Sequence, residues 1–131
     1  MSDKRKLQVE VGGEKAVIEL FWDKAPNICK GVWSVLPLES YAFHGKVVDN
    51  EYMIPLPIFL ERENMVAERH PGDVGWWDAR GVMNIWYGEA TVLGPTGIFG
   101  KVVKNLEGLQ REGRKLTVKQ GGTVKLSKLE E

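Results

Sequence analysis

The 131-residue chain is poor in the residues that most often announce chemistry: it has one cysteine, two histidines, and eighteen basic side chains balanced by eighteen acidic ones. The lone Cys29 has no partner for an internal disulfide. Neither it nor His44 and His70 falls at metal-ligand spacing, so a structural zinc site is excluded and no metal or other cofactor is expected. A formal charge of zero removes the field that draws proteins to a phosphate backbone or an anionic bilayer, so neither nucleic acid nor membrane is expected as a partner. The Lys4-Arg5-Lys6 cluster reads as a solvated start to the first strand. No apolar run opens the chain, and a cytoplasmic location is expected.

What the chain does have is alternation. With 43% apolar residues, it is long enough for one core and too short for two, so residues 1–131 are read as a single domain. Leu7, Val9 and Val11 alternate with Lys6, Gln8 and Glu10. Gly12-Gly13 then turns the chain into a second run over residues 16–22, which predicts an opening hairpin. Pro26 begins and Pro37 ends a helix marked by Ile28, Val32, Val35 and Leu36 at helical spacing. Cys29 in its first turn reads as a small buried hydrophobe rather than a nucleophile.

Strand-like segments follow at residues 40–48, 51–57, 74–78, 82–87, 90–93, 98–103 and 116–126, separated by Gly, Pro or Asp-Asn signals. Residues 60–69 suit a surface loop or a short helix, and residues 106–114 a second short helix closed by Gly113. Many short strands with few helices predict a mainly β architecture, a barrel or sandwich. Trp76-Trp77 and Trp86-Tyr87 each place one ring in the core and one on the other face, because neighbours on a strand point to opposite sides.

Four segments in order resemble the cyclophilins. Ile18-Glu19-Leu20-Phe21-Trp22-Asp23-Lys24-Ala25-Pro26-Asn27 is similar to that family's entry into its first helix, and Phe43-His44-Gly45 with Tyr52-Met53-Ile54-Pro55 is similar to its Phe-His-Arg and Phe-Met-Ile-Gln strands. Pro71-Gly72-Asp73-Val74-Gly75-Trp76 and Ile98-Phe99-Gly100-Lys101-Val102-Val103 resemble its later strands. The resemblance spans nearly the whole chain and implies a closed antiparallel β-barrel of about eight strands with one or two short helices. It points to a short, divergent prokaryotic member of that superfamily.

The departures bear on function. Gly45 stands where the family's prolyl isomerases carry an arginine, Pro55 where they carry a glutamine, and Thr96 near the place of a histidine. What the resemblance implies is therefore a non-canonical protein that binds a small molecule or peptide in an apolar groove. The groove candidates are His44, Tyr52, Met53, Trp77, Met83, Asn84, Ile85 and Trp86. Whether Met83 and Ile85 or Asn84 and Trp86 face the groove stays open. A weak or altered peptidyl-prolyl isomerase is the first alternative, and an enzyme using His44 with Glu39 or Glu51 the second. A homo-oligomer is compatible with the outward tryptophans.

Overall fold

The structure is a computed structural model that describes residues 4–45, 50–90, 94–119 and 121–130, with the side chains of the second helix described as far as Leu116. Nine strands and two helices follow in the order β1 (Arg5–Val11), β2 (Glu14–Leu20), α1 (Pro26–Ser34), β3 (Leu38–His44), β4 (Glu51–Pro55), β5 (Met65–Val66), β6 (Asp73–Trp77), β7 (Val82–Trp86), β8 (Thr96–Lys104), α2 (Leu106–Lys119) and β9 (Gly122–Glu130). The predicted hairpin forms around Gly12 and Gly13. Their φ values of 57° and 83° are the left-handed pair that a two-residue turn between twisted antiparallel strands needs.

Around the ring the strands run β2, β1, β9, β3, β4, β7, β6, β8, and β8 pairs back onto β2, closing an eight-stranded antiparallel barrel; β5 is added at the edge of β8. Closure leaves no open edge among these eight strands. Register breaks between Val17 and Ile18 and between Val74 and Gly75 mark bulges against β8, the device that bends a sheet into a barrel.

The inward face of each strand fills one continuous core. Leu7, Val9, Ile18, Ile54, Val74, Met83, Ile85 and Leu126 are all essentially inaccessible. Helix α1 starts at Pro26, whose missing N–H is harmless there. Its next two backbone N–H groups, of Asn27 and Ile28, donate to Glu63 Oε1 at 2.9 and 3.0 Å. A carboxylate from a distant loop thus caps the positive end of the helix. Cys29 is buried on its inner face with Sγ against the Phe99 carbonyl at 3.5 Å.

The sequence reading needs correction at the second helix. Helix α2 does not stop at Gly113 but runs to Lys119, so residues 116–119 are helical and β9 begins at Gly122. Gly113 is an interior packing position: a Cβ there would lie 2.5 Å from the Tyr87 ring. Leu109 and Leu116 bury the same helix face on either side of it. The actual break is Gly121, at φ 147°. Residues 60–69 form a loop interrupted by the two-residue β5. Of the strand expected at 90–93, Ala90 is not in a strand and the rest lies outside the described residues, as do residues 46–48 of the strand expected at 40–48. Among the described residues no helix is long and apolar enough to cross a membrane.

Candidate functional site

Register decides which candidates share a face. Tyr52 pairs with Ile85, Met53 with Asn84 and Glu51 with Trp86 across β4 and β7, while His44 pairs with Tyr52 across β3 and β4. Directly opposed residues point the same way and successive ones alternate. His44, Tyr52, Met83 and Ile85 therefore point into the barrel, and Met53, Trp77, Asn84 and Trp86 point outward, where Asn84 and Trp86 are nonetheless buried. The two sets cannot line one groove. Along β7, Asn84 and Trp86 face outward and Met83 and Ile85 inward.

The inward set is structural. Tyr52 is 1% exposed, and its hydroxyl donates to the Leu109 carbonyl of α2 at 2.5 Å; burial raises its pKa above the ordinary tyrosine value. His44 is buried, with Nδ1 2.9 Å from the Gly45 carbonyl and Nε2 2.5 Å from the Tyr87 hydroxyl. Since the carbonyl only accepts, Nδ1 carries the proton and Nε2 accepts from the tyrosine. Both ring nitrogens are occupied and neither partner is a carboxylate. Glu51, the acid close to it in sequence, lies on the opposite side of the sheet. The proposed pairing of His44 with Glu51 does not assemble, and Glu39 sits at the far end of β3 against Lys125.

The outward set surrounds a polar cluster that β4 and β7 build between them. Glu51, at the head of β4, is 4% exposed, and Asn84, in the middle of β7, is 1% exposed. The amide Nδ2 of Asn84 donates to Glu51 Oε2 at 2.5 Å. The amide oxygen, Oδ1, is fully buried and has no hydrogen-bond partner. Glu51 forms no ion pair with any described residue, and loss of hydration pushes its carboxyl up to about 7 against the Asn84 hydrogen bond and the more distant Arg69 charge, which both pull it down.

Trp86 forms one wall. Its ring reaches over Gly75 of β6, where a Cβ would come within 3.0 Å of both the indole and Thr96 Cγ2. A larger residue there would press on this layer, and the β6–β8 bulge falls at the same residue. Arg69, from the loop between β5 and β6, stacks its guanidinium 4.6 Å from the centre of the Trp86 ring. Its Nη1 donates to the Val66 and Glu68 carbonyls, and its Nη2 donates to the Gly94 carbonyl and Thr96 Oγ1. Burial lowers its pKa from the usual arginine value, yet it stays charged. Half-buried Met53, opposite Asn84, and exposed Phe43 border the cluster on its other side.

Trp77 lies further along the same face. A cleft of about 470 Å³ opens between residues 55–59 and the β6–β7 turn, lined by Pro57, Ile58, Phe59, Asp78 and Arg80. Asp78 is already paired with Arg62 at 3.0 Å, and Arg80 lies over the Trp77 ring. Among the described residues no buried polar group faces this cleft without a partner. Among the described residues no three His, Cys, Asp or Glu side chains cluster as a metal site would require.

Glu51 enters the sequence reading only as a neighbour of His44, and Arg69 is missed. A signal for the cluster does exist: β7 reads Val82-Met-Asn-Ile-Trp86, all five positions are buried, and an asparagine inside a doubly buried strand demands a polar partner. Arg69 has no such signal, because its role depends on a loop that brings it back over Trp86.

Comparison with known proteins follows the barrel. No curated protein matches the sequence. Among solved structures, McbB, determined in complex with tryptophan, superposes with a TM-score of 0.81 at 20% identity; the match covers 94% of this chain but only 44% of McbB. The hypothetical protein AF2241 from Archaeoglobus fulgidus superposes with a TM-score of 0.71 at 19% identity, covering 95% of this chain and 94% of its own. At such identities the likeness is one of fold. Residues 7–128 match the model of a family described as protein of unknown function, DUF3830. The chain belongs to the DUF3830 family.

Proposed function

We propose that this protein is a cyclophilin-like barrel that binds a small molecule on its outer face, at the cluster of Glu51, Asn84, Trp86 and Met53, and is not a standard prolyl isomerase. The observation that carries the reading is the Asn84 amide oxygen, buried without a hydrogen-bond partner among the described residues, beside a buried carboxyl that forms no ion pair with any of them. An unmade hydrogen bond of this kind costs about 1–3 kcal/mol. Groups left in that condition beside a buried aromatic ring are what a ligand satisfies once the half-buried Met53 gives way.

The four motifs that resemble the cyclophilins and the closed eight-stranded barrel support the superfamily. The missing arginine at Gly45 and the exposed Pro55 argue against the isomerase. The guanidinium that does reach this face, Arg69, has four of its N–H groups engaged by neighbouring oxygens. Little of it remains to donate to a prolyl substrate.

The test is a thermal-shift panel of L-tryptophan, tryptamine, tryptophol, indole-3-propionate and an Ala-Pro dipeptide, on the wild type and Trp86→Ala. A ligand present at a hundred times its Kd adds about 2.7 kcal/mol of stability. At least one indole compound is expected to raise Tm in the wild type and to lose that effect in the variant. No shift with any compound, or equal shifts in both proteins, would overturn the reading.

A further inference from the structure

The polar atoms of the cluster are mismatched in a way that specifies the complementary group. Asn84 Oδ1 is an acceptor with no donor. Of the two Glu51 oxygens, only Oε2 receives a hydrogen bond, from Asn84 Nδ2. Once Glu51 is ionised, above about pH 7, the two side chains thus present acceptors on both Glu51 and Asn84, against one remaining donor, the second N–H of Asn84 Nδ2. One acceptor belongs to a carboxyl without an ion-pair partner among the described residues.

Resting on the reading that this face binds a small molecule, we infer that the site recognises a protonated primary amine, whose N–H groups donate to Glu51 and to Asn84 Oδ1 while its apolar body lies against Trp86 and Met53. A hydroxyl has one proton and can satisfy only one of the two acceptors; an ammonium has three. A carboxylate or phosphate brings further acceptors and meets repulsion. A hard metal cation is a poorer fit, because two protein oxygens fall far short of the six to eight that calcium takes. Met53 is the way in: it lies directly opposite Asn84 and is half-buried, and its unbranched side chain changes rotamer readily.

Binding of this kind is linked to protons. The carboxyl holds its proton up to about pH 7, and only its ionised form neutralises an ammonium, so uptake of the amine expels that proton. Among the described residues the charged groups that bear on it are few. Arg69 acts on Glu51 from the β5–β6 loop, and Asp73, at the start of β6, acts in turn on Arg69. On the same face Phe43 of β3 and Asn84 and Trp86 of β7 carry no charge.

The experiment is calorimetric titration of the wild-type protein with tryptamine and with tryptophol, which share ring and chain length and differ in the terminal group, from pH 5 to pH 8.5. Tryptamine is expected to bind at least tenfold more tightly than tryptophol above pH 7. Its affinity should fall by up to tenfold per pH unit below about 7, with proton release into the buffer. Glu51→Gln is expected to weaken tryptamine by roughly 10- to 100-fold and to flatten the pH profile. Equal binding of the two compounds, a flat wild-type profile, or stronger binding of indole-3-propionate would overturn the amine assignment and leave the small-molecule reading standing. Failure of every compound in the panel would overturn both.

Discussion

Glu51→Gln separates the burial of a carboxyl from its ionisation, and its effect on stability is calculable. Glutamine keeps an oxygen to accept from Asn84 Nδ2, matches the volume, and carries no charge at any pH. In the wild type the carboxyl is pushed from the ordinary 4.5 up to about 7, first by desolvation. Below pH 4.5 the folded and unfolded chains both hold the proton and the group makes no difference. Between 4.5 and 7 the unfolded chain releases its proton while the folded chain keeps it, so the folded state loses about 1.36 kcal/mol per pH unit. Above about 7 both are ionised and the penalty is constant, on the order of 3 kcal/mol. Because the side chain is 4% exposed, solvent screening takes little from this figure.

Glu51→Gln is therefore expected to match the wild type near pH 4 and to exceed it increasingly up to pH 7, the gap reaching about 3 kcal/mol. For a chain of 131 residues that is a Tm difference of ~10 °C. Urea titrations and thermal melts at pH 4, 5.5, 7 and 8.5 measure it directly. Parallel stability curves, or a variant less stable than the wild type at pH 8.5, would show that Glu51 is not held in the environment described.

Other perturbations address the scaffold and the excluded activity. Gly75→Ala places a methyl group 3.0 Å from Thr96 Cγ2 and the Trp86 ring, and should cost about 1–3 kcal/mol while abolishing the stabilisation by indole ligands; a neutral substitution would mean that the Trp86 layer is not fixed. Glu63→Ala removes the acceptor for the Asn27 and Ile28 amides and should cost about 1–2 kcal/mol, with faster amide exchange at the start of α1 as the local readout; unchanged exchange there would contradict the cap. Cis-to-trans exchange of an X-Pro peptide should proceed at its uncatalysed rate at high protein concentration, and acceleration sensitive to Arg69→Ala would return the isomerase to consideration.

The barrel was legible in the sequence because burial on one face of an antiparallel strand leaves a period of two, and Gly12-Gly13 and Pro26 punctuate it where the structure turns. Helix α2 reads too short in the sequence because a glycine at its centre looks like a stop; the ring of Tyr87, distant in sequence, is what requires it. The groove candidates divide between two faces of the sheet. Met53, Trp77, Asn84 and Trp86 stand on the outer face, whereas Tyr52, Met83, Ile85 and His44 are core residues, since the family resemblance placed the groove to within one residue and a strand reverses its face at each step. Glu51 and Arg69 became candidates only through their surroundings: a carboxyl is unremarked until the sheet removes its water, and Arg69 meets Trp86 only through the folded loop.

The central claim, that ligand occupies the outer face beside Asn84, is tested most directly by amide-resolved NMR of the wild-type protein titrated with the panel compound that raises Tm the most. The account predicts that the largest shifts fall on the Asn84 side-chain amide, the Trp86 indole N–H and the backbone amide of Met53. Shifts centred instead on residues 55–59 and Arg80 around the neighbouring cleft, or on Cys29 and the barrel interior, would contradict it.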